Sequence, residues 1–242
     1  MPRWIIAACL LSAVVHTPAS AQVTLGEPGV PEVKAGDSNQ IPGDASISRR
    51  PDPQDVYGGW RLSQLRGQTV FDSSGARQLA TIDDLILLPD GRITAVVVTG
   101  NDKKETLYRI PWRDIRFRPG GAGMQLRTEY PESQWTLLSL GTTGILREFR
   151  LAHFLSDSVN LQTGLRYGFV EDVTFSLGGE ARTVLVRRDQ SSGRGTYAFL
   201  LPPFEAAWAP SLSYYNLPFS TEREADAAGL RVQPERFEAP QK

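Results

Sequence analysis

Histidine and cysteine, the side chains most often used in catalysis and metal binding, are scarce in this sequence. The 242 residues contain two histidines and one cysteine. His16 and Cys9 lie near the N-terminus, and His153 lies far along the chain in the apolar run Leu151–Leu155. Catalytic triads and most zinc sites need a histidine with a placed partner. The sequence therefore predicts neither, and we expect His153 to be a packed or surface residue.

Two acidic pairs, Asp83-Asp84 and Glu171-Asp172, remain as candidates for chemistry. Paired carboxylates can do acid–base work or bind calcium. Adjacent residues of a strand point to opposite faces, however, so the members of each pair do not converge. We predict instead that Asp84 and Asp172 fix a neighbouring turn by accepting backbone N–H bonds. The sequence predicts no enzyme, no catalytic residue, no metal site and no cofactor; a carboxylate enzyme would need two convergent acids from different strands.

The N-terminal residues predict the compartment. Arg3 precedes the apolar run Trp4–Val15, which is too short to cross a bilayer, and Ala19-Ser20-Ala21 follows. This order is typical of a secretory signal peptide cleaved after Ala21, and in a bacterium it predicts a periplasmic or secreted protein. Because Arg3 is the one charged residue of this segment, cleavage changes the formal charge from -1 to -2. Such a balance gives no electrostatic case for nucleic-acid binding.

An internal repeat organises the rest of the chain. Ala80–Thr99 aligns without gaps with Gly168–Arg187. Asp90-Gly91 and Gly178-Gly179 are hairpin turns in this alignment. They place Leu85 opposite Val96 in copy one, and Val173 opposite Val184 in copy two.

The hairpin register also predicts which residues face outwards, and here the copies differ. The outward positions Ile86, Leu88 and Val97 of copy one form an apolar stripe, where copy two has Thr174 and Ser176. An exposed apolar patch usually marks an interface. Two interpretations stay open. In one, the stripe packs within the chain, on the other repeat, on the N-terminal leader (22–55) or on the C-terminal tail (216–242). In the other, it docks another protein.

The residues of copy one resemble those of the PRC-barrel family. The resemblance rests on Leu65–Val70, a turn ending at Gly75, Ile82–Leu85, and Ile110–Trp112. The family is similar to the cytoplasmic domain of the photosynthetic reaction-centre H subunit and to the C-terminal domain of a ribosome maturation factor. It implies a small closed β-barrel that serves in docking or assembly, and it supplies no catalytic residues. Copy two, at about 148–205, follows the pattern less closely.

We therefore expect an all-β chain with two tandem small PRC-barrel-like domains that buttress each other. Thr221 is expected to be the N-cap of a short helix near the C-terminus, before Gly229. The predicted segments are a signal peptide (1–21), a disordered Pro/Gly-rich leader (22–55), domain 1 (56–130), a linker (131–147), domain 2 (148–215) and a tail (216–242).

The expected function is that of a non-catalytic periplasmic or secreted binding or scaffolding protein. It would dock an envelope protein, whose identity the sequence does not give, in envelope assembly or stress; a homo-oligomer is also open. No later segment is apolar enough to span a membrane. The alternative is a sensor that binds a small ligand or a metal ion at a barrel mouth near Asp83 or Glu171.

Overall fold

A computed structural model describes residues 49–101, 106–120, 123–142, 147–189, 194–201, 207–209 and 213–237. The predicted signal peptide and residues 22–48 of the predicted leader lie outside this part of the chain. Within the described ranges, no helix combines the length and the apolar character needed to cross a membrane.

Short strands dominate both halves of the chain. The first half has α1 (Pro53–Tyr57), β1 (Trp60–Arg61), α2 (Leu62–Leu65), β2 (Thr69–Asp72), β3 (Gln78–Leu87), β4 (Ile93–Gly100), β5 (Leu107–Pro111), β6 (Ile115–Gly120), β7 (Gly123–Thr128) and β8 (Thr136–Leu137). The second half has β9 (Phe149–Arg150), β10 (Ser158–Asn160), β11 (Arg166–Phe175), β12 (Ala181–Arg188), β13 (Thr196–Leu200), β14 (Trp208–Ala209), β15 (Tyr214–Asn216), α3 (Glu222–Ala228) and β16 (Leu230–Arg231). Single 3₁₀ turns occupy Trp112–Asp114, Glu132–Gln134, Leu151–Phe154 and Pro234–Arg236.

The strands form two sheets with the same order. The sheet of the first half, which we call barrel one, has the order β6-β7-β2-β3-β4-β5-β8. The sheet of the second half, barrel two, has the order β14-β15-β10-β11-β12-β13-β16. Each strand of barrel one therefore has a counterpart in barrel two, which confirms the all-β fold. The described hydrogen bonds leave each path open at its two ends. In barrel one, ring contacts of Phe117 in β6 with Trp112 (5.9 Å) and Trp60 (5.0 Å) help to enclose the core.

The central hairpins have the register that the repeat predicts. Leu85 pairs with Val96, and Val173 pairs with Val184. Both hairpins turn through a glycine with positive φ, Gly91 (84°) and Gly179 (83°), a conformation that side chains with a Cβ rarely adopt. The turn chemistry and the alternation of apolar residues therefore determine this part of the fold together.

The two barrels exchange their leading strands. β1, which precedes barrel one, pairs with β11 of barrel two, and β9, which precedes barrel two, pairs with β3 of barrel one. The two hairpin turns are also joined, because Ile93 N–H donates to Gly179 O (2.7 Å) and Ala181 N–H donates to Gly91 O (2.9 Å). These residues are equivalent in the repeat, so the barrels are related by an approximate two-fold axis.

A single apolar core extends across both barrels. Trp112 of the first half contacts Phe175 edge-on, with ring centroids 5.8 Å apart, and Phe149 contacts Trp208 at 5.1 Å. Both contacts belong to one cluster of buried side chains that draws residues from each barrel. The expectation that the barrels buttress each other is met by this shared core.

Segments predicted as leader, linker and tail contribute to the folded structure. Helix α1 begins at Pro53, inside the interval predicted to be disordered, because Asp52 caps it by accepting from Gln54 N–H (2.8 Å). Its Val56 is fully buried. The linker supplies β8 and the tail supplies β16, so each sheet ends on a strand that lies outside its predicted domain.

The short helix predicted in the tail is present as α3. Thr221 is its N-cap: the Thr221 hydroxyl accepts from Glu224 N–H (3.2 Å). The Glu224 carboxylate in turn accepts from Thr221 N–H (3.3 Å), which completes a capping box. Gly229 follows the last helical residue, as expected.

Two residues of copy two differ from the prediction in their exposure to solvent. Thr174, predicted to face outwards in a polar stripe, is fully buried, because α1 covers it. Alternation from Val173 through Phe175 predicts that Leu177 faces the core, but Leu177 is 57% exposed. β11 ends at Phe175 and a β-bulge interrupts the register beside Thr174, so the alternation no longer applies at Leu177.

Candidate functional site

The buried acid of copy one joins the two barrels. Asp84 is fully inaccessible, and its Oδ1 accepts from Leu85 N–H (2.8 Å) and Ala152 N–H (2.9 Å). Its Oδ2 accepts from Arg150 Nε (2.9 Å), while the half-buried Asp83 also pairs with Arg150 (2.6 Å). Burial raises the pKa of the Asp84 carboxyl, against the opposing effect of these hydrogen bonds.

Asp172 makes the reciprocal contacts from copy two. Its Oδ1 accepts from Val173 N–H (2.9 Å) and Ser63 N–H (3.3 Å), and its Oδ2 accepts from the Ser63 hydroxyl. Burial raises the pKa of this carboxyl as well. The two acids do accept backbone N–H bonds, as predicted. The partners outside their own strand, however, belong to the leading segment of the opposite barrel and not to a neighbouring turn.

The predicted docking face of copy one is covered. Ile86 and Val97 are fully buried and Leu88 is 9% exposed. Ile86 and Val97 pack with Leu138 and Leu140, which lie in the segment predicted as a linker. This corrects the sequence interpretation, which considered the other repeat, the leader, the tail or a partner protein as the cover. Alternation showed which way these side chains point, but it could not show that the following segment folds back over them.

The Glu148 carboxylate holds the segment with Leu138 and Leu140 in place over this face. Glu148 accepts from Arg109 at 2.7 and 2.9 Å, from Gly141 N–H (2.9 Å) and from the Thr94 hydroxyl (3.1 Å). Burial alone would raise the pKa of Glu148, but these hydrogen bonds and the Arg109 charge outweigh it and hold the pKa below its usual range.

The outer face of barrel two is also covered. The Thr174 hydroxyl lies 2.7 Å from the Thr183 hydroxyl and donates to Asp55 O in α1 (3.1 Å). Beside this polar pair, α1 and residues 232–237 pack on β12 and β13 through an apolar cluster of Val56, Leu185, Ala198, Val232 and Phe237.

A groove lies open at the end of barrel one. It has a volume of about 210 Å³ and lies where β3 begins, β4 ends and β5 begins. We call it the Tyr108 groove; its lining residues are Leu79, Gly100, Asn101, Tyr108, Glu132 and Trp135. The Tyr108 and Trp135 rings are 5.9 Å apart and inclined at 58°.

The equivalent end of barrel two is filled by its own helix. The strand pairings make Arg188 the counterpart of Gly100, and Tyr197 the counterpart of Tyr108. Tyr167, which corresponds to Leu79, is fully buried and donates its hydroxyl to Asp226 of α3 (2.7 Å). Burial and the Asp226 carboxylate both raise the pKa of Tyr167.

The length of one connection explains the difference between these two ends. In barrel two, residues 217–229 join β15 to β16 and include α3. In barrel one, residues 129–135 join β7 to β8, about half that length, and they form a 3₁₀ turn with Trp135. A connection this short covers less of the barrel end, and the Tyr108 groove is the uncovered part.

The carboxylate of the Tyr108 groove is accessible. Glu132 pairs with Arg77 at 2.6 Å, and the side chains of both are well exposed, at 41% and 64%. Trp135 is held in place because its Nε1 donates to Tyr130 O (3.1 Å). The groove therefore offers two aromatic rings, an apolar floor at Leu79 and one negative charge.

Both acids of the sensor alternative, Asp83 and Glu171, have protein partners. Asp83 pairs with Arg150, and Glu171 accepts from the Thr196 hydroxyl (2.6 Å). Across the described ranges, His, Cys, Asp and Glu side chains nowhere gather in threes in positions to bind a metal ion.

Fold and site together define an all-β protein of two interlocked barrels, one with an open end. Residues 59–122, from just before β1 to the β6–β7 hairpin, match the model of the PRC-barrel domain family, and the chain therefore carries a PRC-barrel domain. This confirms the resemblance seen in the sequence. No curated protein matches the chain. The match extends from β1 to β6, and β7 and β8 of barrel one lie beyond it. Barrel two repeats the strand order of barrel one outside the matched residues.

Proposed function

We propose that this chain is an exported, non-catalytic binding protein that docks a partner protein of the cell envelope through the Tyr108 groove. Export is supported by the signal-peptide pattern that ends at Ala21. Docking is supported by the contrast between a covered outer face on each barrel and an uncovered end on barrel one. N-terminal sequencing of the mature protein should begin at Gln22.

The observation that carries the proposal is the helix that fills the equivalent end of barrel two. There α3 buries Ala225 completely and places Asp226 and Glu222 against the barrel wall. The strand framework of this fold can thus accept a short helical segment at that end. A partner segment that packs into the Tyr108 groove would use the same geometry from outside the chain.

In-cell photo-crosslinking tests the proposal directly. p-Benzoylphenylalanine would replace Asn101, an exposed residue of the Tyr108 groove, in the tagged protein in its native envelope. The same substitution at Leu165, which is 55% exposed in the β10–β11 turn of barrel two, is the matched control.

A single recurrent protein captured from position 101 and absent from position 165 is the expected result. Capture of the same proteins from both positions would mean that the groove is not selective. Links only within the chain would contradict partner docking, since they would show that another part of the same protein fills the groove.

A further inference from the structure

Barrel two contains an internal example of a cation bound at this end of the fold. The Arg188 side chain is 10% exposed and pairs with Glu222 (2.6 Å) and Asp226 (2.7 Å). Its Cζ lies 5.3 Å from the centre of the Tyr167 ring. The guanidinium is thus held by two carboxylates and by an aromatic ring, a combination that favours arginine.

Barrel one has the ring and the carboxylate but lacks this guanidinium. Gly100 takes the position of Arg188, so no side chain extends from the wall into the Tyr108 groove there. Tyr108 and Trp135 supply the rings and Glu132 supplies the charge. Glu132 is paired with Arg77, but both partners are exposed, and such pairs exchange with solvent at little cost.

We propose that the Tyr108 groove binds an arginine side chain of the partner protein. The guanidinium lies against the Tyr108 and Trp135 rings and pairs with Glu132 in place of Arg77, and its aliphatic stem packs on Leu79. This inference rests on the proposed function and adds the chemistry of the partner. Arginine is favoured over lysine because its planar guanidinium can stack on a ring and pair with a carboxylate at the same time.

The first experiment titrates the mature protein, residues 22–242, with a capped Ala-Arg-Ala peptide. The matched peptide has citrulline, which keeps the shape of arginine but carries no charge. The indole N–H resonance of Trp135 in a ¹H–¹⁵N spectrum reports on occupation of the groove. We expect it to shift with the arginine peptide, and the citrulline peptide to bind at least about fivefold more weakly.

Substitutions distinguish binding of the peptide in the groove from nonspecific attraction of the peptide to negative charge on the protein. Glu132→Gln should weaken binding of the arginine peptide about fivefold, whereas Glu129→Gln, the same charge change at an exposed residue outside the groove lining, should leave it unchanged. Arg77→Ala should tighten binding, because it removes the side chain that competes for Glu132. Equal weakening by Glu132→Gln and Glu129→Gln would overturn the inference.

Gly100→Arg gives barrel one the residue that barrel two has at this position. We expect this variant to abolish peptide binding with its fold intact, as judged by circular dichroism, because its own guanidinium then occupies the groove. Retained binding by a folded Gly100→Arg protein would also overturn the inference. Should the variant not fold, the glutamate pair still decides the question.

The peptide and crosslinking experiments fail independently. If position 101 captures a protein but the arginine peptide does not bind, partner docking stands and the arginine chemistry is wrong. If the peptide binds but position 101 captures no protein, the groove recognises a cation without a protein partner, and the inference about the partner's side chain is wrong together with the proposed function.

Discussion

The two barrels share one strand order and one register, yet the same end of the fold is closed in barrel two and open in barrel one. Barrel two closes its end with α3 and pairs its Arg188 internally, whereas barrel one leaves the Tyr108 groove with an accessible Glu132. The sheets themselves do not account for this. A connection of different length between two equivalent strands determines whether the barrel end is filled by its own chain or left open to a ligand.

The largest expected effect comes from emptying the closed end. Tyr167→Ala removes a fully buried ring that contacts Phe199 and a hydroxyl bonded to Asp226, and we expect it to cost about 4 kcal/mol in the free energy of unfolding. The equivalent Leu79→Ala should cost about 2 kcal/mol, because Leu79 already borders the open groove. Urea unfolding measures both, and equal losses would show that the two ends are packed alike.

The next largest effect tests the internal ion pairs of Arg188 in barrel two. Arg188→Met keeps much of the side-chain volume but removes the guanidinium that pairs with Glu222 and Asp226. Since both acids are partly exposed and can be hydrated, we expect a loss of about 2 kcal/mol, measured by urea unfolding. Arg113→Met, at a side chain that is 86% exposed, is the control and should change stability little. A similar loss in both variants would contradict an anchoring role for Arg188.

A smaller effect concerns pH and the cover of barrel one. The pKa of Glu148 is held below its ordinary value of 4.5, so its charged form stabilises the folded state above that pH. This contribution is lost as the pH falls through the lowered pKa of the folded protein. Glu148→Gln should therefore be less stable at pH 7 and should lose less stability on acidification, as thermal unfolding across pH 7 to 3 would show. A parallel pH profile for both proteins would contradict it.

Local rules were sufficient to predict the central hairpins. The pairing of Leu85 with Val96 follows from period-two alternation and a glycine turn, both of which are properties of neighbouring residues. The capped helix α3 is predictable for the same reason, since Thr221 and Glu224 form their capping box within one turn. In each case the determinants lie close together in the sequence.

The covers and the strand exchange depend on contacts between residues that are distant in the sequence, which local rules do not predict. Alternation predicts that Ile86 points outwards, but not that Leu138 folds back over it. β1 has two residues, too few for a periodic signal, and its partner β11 lies more than a hundred residues away. The Tyr108 groove had one usable sequence signal, the shorter connection 129–135. This difference in length can be seen only when the alignment of the two copies is continued beyond the central hairpin to the strands that follow.

The smallest expected effect is the change in stability caused by Arg77→Ala. Arg77 and Glu132 lie 2.6 Å apart but are largely exposed, so solvent screens the pair and each side chain loses entropy when it forms. We expect the free energy of unfolding to change by less than about 0.5 kcal/mol, against about 2 kcal/mol for Arg188→Met. If Arg77→Ala instead costs as much as Arg188→Met, then Glu132 is a structural anchor like Glu222, and the open end of barrel one already has its own cation. A negligible change means that the fold does not depend on this pair, which leaves Glu132 available to a cation from outside the chain.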